Sequence, residues 1–441
     1  MNVLLVSLDT TRADHLGCYG WPRCTSPHLD DVAAEGVLFE QCFSPWIPTH
    51  PAHTSLFTGQ DPMLHQVIAQ GGKAQLAPEI PTLAEILRDH GYFTAAADNL
   101  GRWFERGFEL YRTYRWARDE SGGWRKGEAV TEAALAVLAA AAAQPKPFFL
   151  FLHYWDPHTP YLPPPPFDRL FYTRNERDPA HRSMEPVFAF EPFADYFREW
   201  MPGVTDIEFP KAQYDAAIAY MDACLRHVWT RLEELRLADP TLVVVTADHG
   251  EELDEHQMWF DHHGLYDTNL RIPLIMRGPD LPRGARVAAP VRLVDVAPTI
   301  LAALGLERVA HDLGMVGANL LPLVAGSESR GPGETLYLTE CTWMRKRGLR
   351  TREWKLIVAR DHPDLHGRPP VELYHLPTDP GEQQNLAQER PEVVAQLRAE
   401  LFAWVERRRA ETGLPDPIEE QEITLRRIGR KPSPPPAGSA A

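Results

Sequence analysis

The chain is short of three things. It contains no run of the roughly 18 apolar residues that a membrane-spanning helix needs. Cysteine is scarce and odd in number, five in all at Cys18, Cys24, Cys42, Cys224 and Cys341, with no C-x-x-C spacing. That excludes a disulfide framework or a zinc ribbon and suits a reducing compartment. Positive charge is in deficit: Lys+Arg 45 against Asp+Glu 61 gives a formal net charge of −16, so the overall field repels nucleic acid and anionic membrane. An anionic ligand must then be held by local cations or a metal. The opening Met1–Asp9 segment has neither a basic region nor a long apolar one, and the expected location is the cytoplasm.

What is there is globular. Short apolar β-rich runs alternate with helical patterns through Val3–Leu8, Leu29–Gly36, Thr82–His90, Phe93–Ala97, Val130–Ala143 and Phe148–His153. That rhythm predicts an α/β fold with a largely parallel central sheet and helices on both faces. A long amphipathic helix is expected over Gln213–Leu237, a buried strand over Leu242–Thr246, and another helix over Val291–Leu304. The Pro- and aromatic-rich stretch at 161–204 reads as an insert within a catalytic domain of residues 1–320. Its Phe167, Phe171, Tyr172, Phe188, Phe190, Phe193, Tyr196 and Trp200 would pack a lid, a subunit interface or a ring-bearing ligand. A smaller C-terminal α+β portion is expected over 321–430, with strand-like Thr335–Leu338, Leu349–Val358 and Val371–Leu376 and a helix over Glu392–Arg409. Residues 431–441, rich in Pro, Ser, Gly and Ala, are expected to be disordered.

Ligands of parallel sheets gather beyond the carboxyl ends of the strands. Val3–Leu8 and Leu242–Thr246 both run into polar residues there, Asp9 and Asp248-His249. Asp156-Pro-His158, a loop holding Thr49, and His262-His263 add further groups of metal-ligand or catalytic type. Glu251 and Glu252 read as the first turn of a helix after Gly250, complementing its dipole.

These residues resemble the sulfatase branch of the alkaline phosphatase superfamily over most of the chain. The likeness rests on Asn2–Gly20 with Thr25–Asp30, on Thr49-His-Pro-Ala-His-Thr-Ser-Leu-Phe-Thr-Gly59, and on Asp156-Pro-His-Thr-Pro-Tyr161 and Ala247-Asp-His-Gly-Glu251. It continues through Leu265-Tyr266, Arg271-Ile-Pro-Leu274, Leu293–Thr299 and Glu372–Glu382. The resemblance implies an alkaline phosphatase-like fold and a metal-dependent hydrolase of anionic esters.

The departures matter most. Thr49 and His53 stand where formylglycine sulfatases carry Cys or Ser and then Arg. Oxidising a threonine gives a ketone, so no formylglycine is expected and the chemistry must use an ordinary hydroxyl. Thr10 replaces a second Asp, and His249 follows Asp248 where the family's calcium site has Asn. An imidazole with two carboxylates favours Zn²⁺ or Mn²⁺ over Ca²⁺. The resemblance is then to phosphonate monoester hydrolase and phosphodiesterase relatives. It implies one metal on Asp9, Asp248, His249 and the Thr49 oxygen, with Thr49 as nucleophile, His158 as leaving-group acid and His262 as a phosphoryl-oxygen donor. A second metal on Asp156, His158 and one of His262 or His263 stays open, as does which of those two histidines faces the site. Gln70 and one of Asn99 or Arg102 are candidate substrate donors, the last pair depending on register. His53 either packs or joins them. His15, His28, His65 and His153 read as scaffold.

The expectation is hydrolysis of a phosphodiester or phosphonate monoester through a phospho-enzyme. The alternatives are a sulfatase using unmodified Thr, a phosphoryl transferase of the same fold, and a silent binding protein. The only partner expected is a small anionic ester, with no nucleic acid and no membrane; homo-oligomerisation stays open.

Overall fold

The computed structural model describes residues 1–425. The tail expected at 431–441, and the end of the 321–430 portion, lie outside them. An eight-stranded sheet is built from β1 (Asn2–Leu8), β2 (Val37–Phe39), β3 (Phe93–Ala97), β4 (Leu110–Arg112), β5 (Phe148–Tyr154), β6 (Thr241–Thr246), β7 (Leu274–Arg277) and β8 (Ala285–Val287). Their spatial order is β8-β2-β7-β6-β1-β5-β3-β4. β1 pairs in parallel with β5 and β6, and β5 with β3. Only β7 runs against its neighbours β2 and β6.

The alternation along β1 explains the layers. Leu4, Val6 and Leu8 enter one core and Val3 and Leu5 the other, because successive side chains of a strand face opposite sides. The first core takes α2 (Lys126–Ala142) and α3 (Glu208–Glu234). The second takes α1 (Thr49–Thr58) and α4 (Val296–Ala303). With both faces covered, the central strands are largely apolar, as Leu242-Val-Val-Val245 illustrates.

Three expectations need correcting. The helix expected over Val291–Leu304 is only Val296–Ala303, because Val291–Arg292 joins a small side sheet and Asp295 folds back to accept from the Arg292 N–H. The expected strand Leu349–Val358 is two strands, since Thr351 Oγ1 accepts from the Trp354 N–H and turns the chain. No helix follows Gly250: Glu251 and Glu252 are fully buried, and Glu252 pairs with Asp261 in a β-bridge.

The aromatic stretch 161–204 carries two short helices, Glu185–Ala189 and Ala194–Trp200, and buries Tyr161, Tyr172, Phe193 and Phe197. Past residue 330 an antiparallel sheet of β9 (Leu336–Glu340), β10 (Lys346–Arg350), β11 (Trp354–Ala359) and β12 (Val371–His375) packs on α5 (Pro391–Thr412). It grips the portion that carries the eight-stranded sheet through buried charge. Arg350 and Lys355 both pair with Asp267, Lys355 also with Glu382, and Tyr266 donates to Glu372 at 2.6 Å.

Candidate active site

Four parallel strands end at one rim, and each delivers a carboxylate just beyond its end: Asp9 after β1, Asp98 after β3, Asp156 after β5 and Asp248 after β6. The turn after β1 is strained. Thr10 has φ of 55°, costly for a β-branched residue, and is pinned by its N–H to Asp248 Oδ1 at 3.2 Å and by Tyr214, which donates to its carbonyl at 2.7 Å. Past β6 the chain must pass very close to Thr268, whose carbonyl oxygen would lie 2.0 Å from a Cβ at Gly250.

These turns bring Asp9, Asp248 and His249 together, one ligand atom from each lying within 4.8 Å of the others. Asp9 Oδ1 and Asp248 Oδ2 are buried and have no hydrogen-bond partner, which is costly unless a cation takes them up. His249 Nδ1 donates to the Gly250 carbonyl at 2.9 Å, leaving Nε2 beside Asp248 Oδ2 at 3.2 Å. Two carboxylate oxygens and one imidazole lone pair fit a divalent cation.

Thr49 is the first residue of α1, not a loop residue, and its Oγ1 lies 3.2 Å from His249 Nε2. The positive end of the helix dipole therefore points at the hydroxyl and favours an anion there. His53, one turn on, is wholly buried beneath it. Its Nδ1 donates to the Thr49 carbonyl at 2.9 Å, Ser7 Oγ donates to Nε2 at 2.9 Å, and Asp248 Oδ2 is 3.6 Å from Nδ1. Both ring nitrogens are committed, so His53 is a support for Thr49 and offers nothing to substrate.

The two-histidine question has a geometric answer. His262 stacks on His249 at 4.6 Å between ring centroids and approaches His158 at 4.9 Å. His263 turns the other way, to Asp261 at 3.2 Å and to the His366 ring. His158 donates from Nδ1 to the Thr159 carbonyl at 2.9 Å. Burial lowers the pKa of both His158 and His262, the latter to about 3, and keeps both rings neutral.

The expected second metal group does not assemble. Asp156 accepts from the Gly127 N–H at 2.9 Å, His263 faces away, and among the described residues the Asp9, Asp248, His249 group is the one that converges. Asn99 and Arg102, expected as substrate donors, donate to the chain itself, whereas Gln70 is held through its amide oxygen. Asn99 Nδ2 donates to the Tyr114 carbonyl at 3.1 Å, and Arg102 donates to the carbonyls of Gly71, Gly72 and Ala74 and lies 3.4 Å from His50 Nδ1. Gln70 Oε1 accepts from the His50 N–H at 3.1 Å. These three shape the wall around α1.

Three groups that sequence reasoning passed over stand in the site. His153 bridges Asp9 Oδ2 at 3.1 Å and Asp98 Oδ1 at 2.9 Å. Burial alone would lower its pKa, but its bonds to the two carboxylates raise it to about 10. It lowers Asp9 in turn, against burial and Asp248, which both raise it. Lys126, buried at the start of α2, donates to the carbonyls of Trp155 and His158; burial lowers it to about 8 against the pull of Asp156. Glu251 is buried beside His262, 3.8 Å from Nδ1, and burial raises its pKa well above the usual range. His153 stands opposite Ser7 on the strand next to β1, a neighbour that only the sheet register reveals.

A family model described as Sulfatase matches residues 1–306. The chain belongs to the Sulfatase family. A second model, described as N-sulphoglucosamine sulphohydrolase, C-terminal, matches residues 254–409 of this sulfatase-family chain. Iduronate 2-sulfatase of Mus musculus is 25% identical over 333 residues, which cover 63% of this chain and 59% of that protein, less than two thirds of its length. Choline-sulfatase of Rhizobium meliloti is 26% identical over 421 residues, covering 82% and 78%. The phosphonate monoester hydrolase of Agrobacterium radiobacter shares the fold, with a TM-score of 0.72 at 21% identity over 92% of this chain and 96% of that one. No helix among the described residues is long and apolar enough to cross a membrane.

Proposed function

We propose that the chain is a metal-dependent hydrolase of a phosphodiester or phosphonate monoester that works through Thr49. The observation that carries this reading is the 3.2 Å approach of Thr49 Oγ1 to His249 Nε2 beside the Asp9, Asp248, His249 group. A divalent cation there, Zn²⁺ or Mn²⁺ suiting the donors better than Ca²⁺, supplies Lewis acidity that offsets charge on the ester oxygens and acidifies a hydroxyl.

The chain's own residues do the rest. Thr49 Oγ1, whose proton passes to solvent as the hydroxyl is acidified, attacks phosphorus in line as the alkoxide: the Oγ1–P bond forms as the bond to the leaving oxygen breaks, the leaving oxygen takes its proton from His158, and cleavage of phospho-Thr49 by water returns the alkoxide. The dipole of α1 favours the charge gathered at the phosphoryl group. His158 keeps Nε2 for proton traffic: neutral by burial, it takes a proton from the water that cleaves phospho-Thr49 and gives it to the next leaving group. No formylglycine enters this scheme.

A second reading, sulfate ester hydrolysis by the same unmodified Thr49, is favoured by the names of the curated relatives, among them iduronate 2-sulfatase and choline-sulfatase. The deciding experiment measures bound metal and assays p-nitrophenyl phosphate diester, phosphonate, monophosphate and sulfate in parallel for the parent and Thr49→Ala. A diester or phosphonate preference that Thr49→Ala abolishes is expected. Dominant sulfate turnover selects the second reading, and activity that survives Thr49→Ala overturns both.

A further inference from the structure

Lys126 stands where packing and electrostatics both disfavour a lysine. It is the first residue of α2, where a cation opposes the positive end of the helix dipole, and it is 3% exposed. A buried ammonium is costly unless a carboxylate sits beside it. Among the described residues no carboxylate lies within salt-bridge distance of Nζ. Burial is the largest influence on its proton, and the carboxylates of Asp156, Asp9 and Glu251 offset it only at longer range. The Trp116 ring covers the ammonium at 5.5 Å. Its hydrogen bonds go instead to two backbone carbonyls, those of Trp155 at 3.2 Å and His158 at 2.7 Å.

Those two carbonyls begin and end one turn. The His158 N–H donates to the Trp155 carbonyl at 3.2 Å, closing Trp155-Asp156-Pro157-His158, and the Gly127 N–H donates to Asp156 Oδ1 at 2.9 Å. α2 comes this close because residue 127 is glycine: a Cβ there would lie 3.0 Å from Cys224 Sγ and 3.2 Å from both Asp156 carboxylate oxygens. The first two residues of α2 therefore hold Trp155, Asp156 and His158. The hold extends to the imidazole. Fixing the His158 carbonyl fixes the peptide plane that leads to Thr159, whose own carbonyl accepts from His158 Nδ1 at 2.9 Å. With Nδ1 committed, Nε2 is the nitrogen that gains and gives the proton, and the ring faces His262 at 4.9 Å between centroids.

We infer that Lys126 is a positioning residue for proton transfer: its ammonium locks the Trp155–His158 turn so that His158 Nε2 meets the leaving oxygen. In that step the Nε2–H bond breaks, its electron pair stays on the ring, and an O–H bond forms on the departing group. Methionine would fill the same space without the desolvation cost of the charge, so packing alone does not account for a lysine here. This role rests on the ester-hydrolase reading, and the leaving group separates the two in the test.

The test compares p-nitrophenyl and phenyl esters of one acid, taken from the ester class that the parent turns over. p-Nitrophenoxide leaves without a proton, whereas phenoxide gains from one. kcat/KM, which reports the step in which the leaving group departs, is measured on the full chain for the parent, His158→Ala, Lys126→Met and Lys126→Arg. Both His158→Ala and Lys126→Met should lose roughly tenfold or more on the phenyl ester beyond any loss on the p-nitrophenyl ester. Lys126→Arg, which keeps the charge and the donors, should recover most of that difference. Should Lys126→Met fail to fold, Lys126→Gln takes its place under the same criteria. A bias in His158→Ala with equal losses on the two esters in Lys126→Met overturns the role of Lys126 and leaves the hydrolase reading standing. So does a bias undiminished in Lys126→Arg. No bias in His158→Ala overturns the proton-transfer scheme and the role of Lys126 with it, and a parent that turns over no ester overturns the hydrolase as well.

Discussion

His53 stands under Thr49 and ties it to β1, donating from Nδ1 to the Thr49 carbonyl while accepting from Ser7 Oγ at Nε2, both at 2.9 Å. The first turn of α1 is thereby fixed against the strand that carries Asp9. His53→Ala strands a buried hydroxyl and leaves a cavity, so stability should fall by about 2–4 kcal/mol. Because the prop acts on Thr49, kcat should fall further than KM rises. Thermal melting and steady-state kinetics of His53→Ala check both; an unchanged melting temperature refutes the prop.

The metal site predicts its own linkage. Removing divalent cations with a chelator leaves two buried carboxylate oxygens, Asp9 Oδ1 and Asp248 Oδ2, without a hydrogen-bond partner. Tm should fall and be restored by Zn²⁺ or Mn²⁺, by about 2.7 kcal/mol at a hundredfold excess over Kd. Asp248→Asn should lose that response. Equal Tm with and without metal in the parent would count against the site.

His153 gives the metal-free protein a pH signature. Its folded pKa of about 10 lies above the ordinary histidine value of 6.5, so the imidazolium contributes stability that is fully present below pH 6.5. That contribution is lost as pH rises toward 10. Melting curves of the chelated parent and His153→Gln across pH 6 to 10 should converge as the pH climbs. A gap that widens instead would mean that the ring is neutral when folded.

The clamp between the C-terminal sheet and the catalytic portion is a buried ion cluster. Lys355 is fully buried and lies 2.6 Å from both Asp267 and Glu382. Lys355→Met removes the cation that both carboxylates face, and breaking a buried pair from one side costs about 3–5 kcal/mol. The loss should be partly recovered in Lys355→Met/Glu382→Gln, as read by chemical denaturation.

How much of this was legible follows from where the information lay. Asp9, Asp248 and His249 announce themselves because an apolar run stops and a ligand type begins, a signal contained in ten residues. His153 and Asp98 do not, since their meaning is each other and Asp9, and His153 is 144 residues from Asp9 in sequence. Glu251 and Glu252 looked like a helix start because first-turn carboxylates are locally favourable. That reading could not see Thr268, which donates to Glu252, nor the bridge to Asp261. The choice between His262 and His263 was undecidable from spacing because neighbouring residues of an irregular segment point apart. Only the packing of His263 on His366 settles the direction. The aromatic stretch was ambiguous for a different reason: rings that bury against the chain and rings that bind a ligand are composed alike.

The position of β1 has a consequence for biosynthesis. Its two hydrogen-bonding neighbours arrive late, since Asp9 and His153 are 144 residues apart and Thr10 and Asp248 are 238 apart. At ribosomal speeds that delay is on the order of ten seconds or more. During it the apolar Val3–Leu8 segment has neither edge paired. The strand at the centre of the finished sheet therefore spends that interval as an unpaired apolar segment while the chain is being made.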